Sequence, residues 1–446
     1  MATKYTQYFW SFVIVLAPVR GAFVYHLGLP PNTVYTLSSA LLVCFGLLSF
    51  RSMWMTKADK SLISLRKAIK VNALLMGFYT LVSMVAISLD QYAMAYLFAI
   101  FPIIFALVRY DERLLNGIVY AVTLVTVFGV VYFYNMGISG GFDAIEATNL
   151  TLRPGELSYS RIGENLLPAG YQGSHHDAAN ILVMCSAFLL SKALLAFSVR
   201  NRFLYFSAYL LVLFVTLLTG SSANIIVLIG VSGLGLMFYA KKHPYVVALV
   251  FCCALLSLPF ILDSLADYTY FYEHARYSQS DLDGGGMFNS LDLNSIIASF
   301  HAIIFGFGYV LKVPMMHSEI AFVKGLISVG FIPFLILMFI CFSPLYYIHK
   351  LRKNGKAQAR LLRCYNPEIT TANFIKISRT YQFRLIIIAM PAFAGTMTLL
   401  HYGSLFRVTS VGLFCVLLAL FFKEYLAINK VREIQWSAHK FDLLNK

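Results

Sequence analysis

The feature that most constrains this chain is the recurrence of apolar runs long enough to cross a bilayer as helices, about 20 residues each. They lie near 8–28, 33–50, 71–89, 91–108, 117–136, 178–199, 203–219, 222–240, 245–262, 319–348, 383–402 and 406–422. Hydrocarbon offers no partner to a free N–H or C=O, so a spanning segment must be a helix or part of a closed barrel, and runs of this length read as helices. The expected fold class is therefore all-α, a polytopic integral membrane protein with about twelve transmembrane helices. Composition agrees: of 446 residues, 59% are hydrophobic and 12% charged, with a mean hydropathy of +0.73. The first run lacks a basic leader followed by a small-residue cleavage site, so it is expected to remain as a helix.

Orientation follows from charge. The connections 51–70, 109–116, 200–202, 241–244 and 349–382 are the basic ones, which places them, with both termini, on the cytoplasmic side. The pI near 9.4 then reflects topology, and no nucleic-acid partner is expected. The chain divides into helices 1–5 over 1–136, a large outer loop over 137–177, helices 6–9 over 178–262, a second outer loop over 263–318, helices 10–12 over 319–422 interrupted by the basic loop 349–382, and a tail over 423–446. Within the second outer loop, residues 291–304 have apolar spacing suited to a helix lying on the membrane surface. Both outer loops exceed what a turn requires, so function is expected there. The seven cysteines, Cys44, Cys185, Cys252, Cys253, Cys341, Cys364 and Cys415, fall in helices or the basic loop and are read as small apolar residues.

Basic residues on the outer side run against the general trend. Arg153, Arg161, Arg276 and Lys312, with Arg20, Lys324 and Arg407 at the membrane edge, either hold phosphate oxygens or pair with acids such as Glu156, Glu164 and Glu273. Arg20 follows about 12 residues of helix at ~1.5 Å each, so it must face protein or a wet cavity. His317 and Lys324 are two helical turns apart and share a face, with Glu319 roughly opposite. His317 either caps a helix or sits at an interface, or, poised near neutral pH, takes a hydroxyl proton while a deeper cation meets phosphate. His175, His176 and Asp177 invite a metal reading, but no H-E-x-x-H or spaced carboxylate pair completes a ligand set, so neither metal nor cofactor is expected. In "TGSSAN", Ser221 and Ser222 either cap a helix or donate to an anion.

Three patches, "SRIGENLL" with "HHDAAN", then "LLTGSSAN", then "FGFGYVLKVPMMHSEIAFVKGLISVGF", resemble the bacterial Wzy-type O-antigen polymerases and the related O-antigen ligases. The likeness covers most of the chain in topology and short stretches in motif. Ser222 and Ala223 stand where that family commonly has an arginine, and Arg161 lies further from Asn180 than is usual there.

The resemblance implies a metal-independent glycosyltransferase of GT-C-like membrane fold with two larger periplasmic loops in the bacterial inner membrane. It would polymerise undecaprenyl-diphosphate-linked oligosaccharide repeat units on the periplasmic side. His317 would be the general base, and Arg161, Arg276 and Arg407, joined by Arg20 or Lys324, would stabilise the departing diphosphate. His176, Glu319, Tyr270 and Tyr272 would contact the acceptor or sugar, the tyrosines being equally suited to anchor at the membrane interface. Partners would be the lipid-linked donor and acceptor, the bilayer and a Wzz-like chain-length regulator. The rival activities are a ligase delivering the glycan to lipid A-core and, from another class, a precursor transporter or flippase.

Overall fold

Glycine and proline punctuate the helices. Helix α1 (Lys4–Leu27) ends where Gly28 turns left-handed at φ +63° and its N–H reaches the Val24 carbonyl at 3.1 Å, a frequent helix stop. Helix α2 (Pro31–Met55) restarts with proline in its first turn, where the missing N–H costs nothing. Asp59 then caps a short 3-10 turn by accepting from the Ser61 N–H at 2.8 Å, leading into α3 (Ile63–Ala86). The computed structural model describes residues 4–55, 59–86, 100–151, 159–162, 165–168, 170–172, 175–240, 293–307, 313, 321–365, 371–400 and 408–444.

After the short α4 (Ile103–Leu107), helix α5 (Glu112–Thr151) runs well past its apolar span. A hairpin of β1 (Tyr159–Ile162) and β2 (Asn165–Pro168) follows, with Arg161 opposite Leu166. A 3-10 turn (Gly170–Gln172) then leads into α6 (His175–Leu195), α7 (Val199–Leu218) and α8 (Ser222–Ala240). The later described elements are α9 (Leu293–Ala298), α10 (Phe300–Phe305), α11 (Ala321–Val329), α12 (Phe331–Tyr365), α13 (Thr371–Met397) and α14 (Val408–Leu444). Among the described residues the chain is thus helical apart from one hairpin.

Seven of these helices are long and apolar enough to cross a membrane: Lys4–Leu27, Thr33–Met55, Glu112–Asn135, His175–Leu195, Val199–Leu218, Phe331–Gly355 and Val408–Val431. The protein is therefore a multi-pass membrane protein. Two further expected spans, 71–89 and 383–402, overlap α3 and α13, and 222–240 coincides with α8, whose apolar stretch Ala223–Gly235 is shorter. The span expected at 245–262 and half of that at 91–108 lie outside the described residues. Helix α6 is the most enclosed span, with 83% of its apolar window buried, and packs against α5, α7, α8, α13 and α14. Large side chains such as Leu210, Phe214, Ile226 and Ile229 remain exposed on α7 and α8, as lipid-facing surfaces require.

Three boundaries differ from the sequence reading. The run 319–348 is not one helix but breaks at Gly330, φ +80°. A Cβ there would lie 2.8 Å from the Gly306 nitrogen and the Ile304 carbonyl oxygen, so glycine permits backbone contact between two chain segments. The basic stretch 349–382 is mostly helical, because α12 runs to Tyr365 and α13 begins at Thr371. Likewise α5 enters the first expected outer loop, and α6 begins at His175 inside it.

Cys185, Cys341 and Cys415 are free and buried as expected, whereas Cys44 is free and exposed. Cys44 lies on the span Thr33–Met55, where an exposed small apolar residue is compatible with lipid.

Candidate functional site

The turn Gly170–Gln172 is wedged between α1 and α5. Gly170 adopts φ +60°; on Gly21 of α1 a Cβ would come within 2.4 Å of the Tyr171 carbonyl oxygen, and on Gly129 of α5 within 2.7 Å of the Tyr171 ring. Both glycines thus supply the space the turn occupies. Gln172 Nε2 donates to the Pro18 carbonyl at 3.1 Å and to Thr126 Oγ1 at 3.2 Å, holding the turn to both helices.

Aromatic side chains surround Tyr171. Its ring meets Phe133 edge-on at 5.6 Å, and its hydroxyl lies 2.5 Å from His26 Nε2. Tyr25 and Tyr132 extend the cluster, with ring centroids 5.9 Å apart. Burial, and then neighbouring Tyr132 and Tyr25, pushes the Tyr171 phenol up to about 12, so it stays protonated and available to donate. Such rings present an apolar face and a polar edge together, as sugar contact or an interfacial belt requires.

Three residues beyond this turn, α6 begins with His175, His176 and Asp177. His175 and Asp177 are buried, His176 is half-buried, and Asn180 is buried one turn on. Asp177 in the first turn complements the positive end of the helix. The two histidine rings lie 3.7 Å apart, and His176 Nδ1 is 3.0 Å from Ser221 Oγ. Asn224 Nδ2 donates to the same hydroxyl at 2.9 Å. Ser221 stands just before α8, but its hydroxyl bridges Asn224 and His176. In the tautomer with Nδ1 accepting, Ser221 donates to the imidazole and orients it. Among the described residues no three His, Cys, Asp or Glu side chains form a group that could hold a metal ion.

Arg20 is half-buried, its guanidinium 4.2 Å from the Tyr35 ring centroid on α2. The arginine thus faces protein, and its charge gains from the ring's negative face. The wedged turn links Arg20 to the histidine pair, since Gly21 packs on Tyr171 and Gln172 closely precedes His175.

Lys324 is half-buried on α11, a helix packed against α10, α12 and the turn Thr398–Leu400. The glycine contact seen in the fold is extended by the Phe307 N–H, which donates to the Ser328 carbonyl at 3.0 Å. Phe307 itself sits at φ +64°, its ring 4.7 Å from that of Tyr79, an uncommon conformation for a bulky side chain. Chain segments on either side of 308–320 are therefore fastened together, and that interval includes His317 and Glu319.

The sequence-derived candidates divide as follows. Arg20, His176 and Lys324 have described side chains; Arg161 is placed by its strand alone; His317, Glu319, Arg276, Arg407, Tyr270 and Tyr272 lie outside the described residues. Sequence reasoning missed Tyr171, Gln172, His26 and Asn224. Its available signal was the string "AGYQGSHHD", where glycines bracket a Tyr-Gln pair just ahead of a helix start. No family model matches the chain, and no curated protein matches it.

Proposed function

We propose that this protein is a metal-independent glycosyltransferase that joins lipid-diphosphate-linked oligosaccharide repeat units into a surface polysaccharide. The reading rests on the motif resemblance, and one structural observation supports it most. The "FGFG" and "SVG" portions of the family-like stretch are fastened through Gly306, Phe307, Ser328 and Gly330, around the interval bearing His317. The contact joins the two patches that carry the resemblance, one on each side of His317 in the sequence.

In this reading the fold is GT-C-like with about twelve helices, in the bacterial inner membrane with both termini cytoplasmic. The end of the bundle bearing the wedged turn faces the periplasm. His317 takes the proton of an acceptor hydroxyl as it attacks the anomeric carbon. The donor's diphosphate leaves with added negative charge, which Arg161, Arg276 and Arg407 neutralise, aided by Arg20 or Lys324. Positioned donors of this kind contribute about 3–4 kcal/mol each in other enzymes, more than tenfold in rate. His176, Glu319, Tyr270 and Tyr272 contact sugar or acceptor, and a Wzz-like regulator is the expected partner.

The test is His317→Ala, expressed at wild-type membrane abundance in a strain lacking the native gene, with surface polysaccharide resolved as a ladder. A lost ladder with one repeat still attached to lipid A-core supports the polymerase. Loss of every attached repeat points to a ligase, and an unchanged ladder removes His317 from the mechanism.

A further inference from the structure

At the opposite end of α6 from the histidine pair, α5, α6, α13 and α14 line an open cavity of about 360 Å³. This volume falls within the range of small-molecule sites. Part of its lining is apolar, from Phe188, Ile388, Pro391 and Leu417. Charged groups of both signs line it as well: Glu112, Lys192, Arg384, Lys423 and Glu424. Lys192 Nζ lies 3.7 Å from Glu112 Oε1, and Arg384 Nε lies 2.5 Å from Glu424 Oε1. Lys423 Nζ donates to the Tyr110 carbonyl. The start of α7 borders the cavity through its capping residue Ser198 and through Asn201.

Two features narrow the occupant. The apolar and charged lining lies where the span of α5 begins, at Glu112, and that of α6 ends, at Leu195, which suits an amphiphile with its polar head at the membrane surface. Charge then selects the head. A purely anionic head would meet Glu112 and Glu424 as well as the cations, whereas a head carrying both phosphate and ammonium pairs with each sign in turn.

We infer that this cavity binds the head of a phospholipid bearing both a phosphodiester and a primary ammonium. Phosphate oxygens meet Arg384, Lys423 and Lys192, the ammonium meets Glu112 and Glu424, and the start of an acyl chain lies along Phe188 and Leu417. The site is separate from the proposed glycan chemistry and does not depend on it.

The test uses the delipidated full chain in detergent, with phosphatidylethanolamine or phosphatidylglycerol added and bound lipid counted by native mass spectrometry. Wild type is expected to retain one phosphatidylethanolamine at least tenfold more readily than phosphatidylglycerol. Arg384→Gln should reduce that retention at least tenfold. Asn201→Trp, which blocks the lining from an exposed position without touching an ion pair, should do the same, and it decides the matter if Arg384→Gln fails to fold. Unchanged retention in Asn201→Trp overturns the site. Equal retention of the two lipids overturns the role of the ammonium, and displacement by soluble phosphoethanolamine at equal concentration overturns the lipid as its source.

Discussion

Replacing Gly21 with alanine tests whether the wedged turn organises the candidate site. The new methyl would stand 2.4 Å from the Tyr171 carbonyl oxygen, against the 3.4 Å at which ordinary contact begins, so the turn must retreat by about 1 Å or the methyl must be accommodated by strain. Strain of this kind costs about 1–3 kcal/mol. Retreat would forfeit the two Gln172 hydrogen bonds, about 1 kcal/mol each, and part of the Tyr171 burial, about 1.5–3 kcal/mol when complete. The cheaper route sets the loss, so the expected destabilisation is about 2 kcal/mol. Gly77→Ala is the control, because nothing lies within 4 Å of its Cβ position and alanine in a helix interior gains about 0.5–1 kcal/mol. Unfolding of both variants would be followed in detergent, with amide hydrogen exchange measured across 165–180. Gly21→Ala should unfold earlier and exchange faster in that stretch. Equal midpoints with unchanged exchange would refute the argument that the glycine exists to admit the turn.

Gly330→Ala should destabilise by about 2–3 kcal/mol, since its left-handed φ alone costs about 1–2 kcal/mol and the methyl meets the Gly306 backbone; Gly230→Ala, with nothing within 4 Å, should be neutral or mildly stabilising by the same unfolding measurement in detergent. Ser221→Ala strips His176 and Asn224 of a shared partner and should cost about 1–2 kcal/mol, read from unfolding midpoints and from faster exchange in the first turn of α6. Tyr171 titrates above its ordinary value of 10 because it is buried. Its contribution to stability is therefore intact below pH 10 and lost as pH rises towards about 12, because deprotonation favours the unfolded chain. Comparing wild type with Tyr171→Phe across that window should show the steeper decline in wild type.

Apolar length was the most readable property of the sequence, because a spanning helix must satisfy its backbone internally and so needs a minimum run of greasy residues. Helix ends were less readable. The run containing Gly330 is uniformly apolar, and its break arises from a partner backbone at Gly306 that no local pattern reveals. In the same way α12 continues through Lys350, Arg352 and Lys353 because polar residues with good helix propensity extend a helix once the membrane segment has nucleated it. At the candidate site, Arg20 announced itself as a charge deep in an apolar run. Tyr171 and Gln172 did not, since their role depends on the space left by Gly21 and Gly129 on two different helices. Ser221 was legible as a residue at a helix start but not as a hydroxyl bridging a histidine and an asparagine.

Helix α14 has 37 residues, a rod about 55 Å long against a hydrocarbon thickness of about 30 Å. It begins among the deepest packed residues and continues beyond its apolar stretch Val408–Val431. Such a rod behaves as a lever: a tilt of about 5° at its buried end carries the far end through about 5 Å. A shift too small to resolve inside the bundle would therefore be readable at the tip, with a distance probe placed well clear of the chemistry.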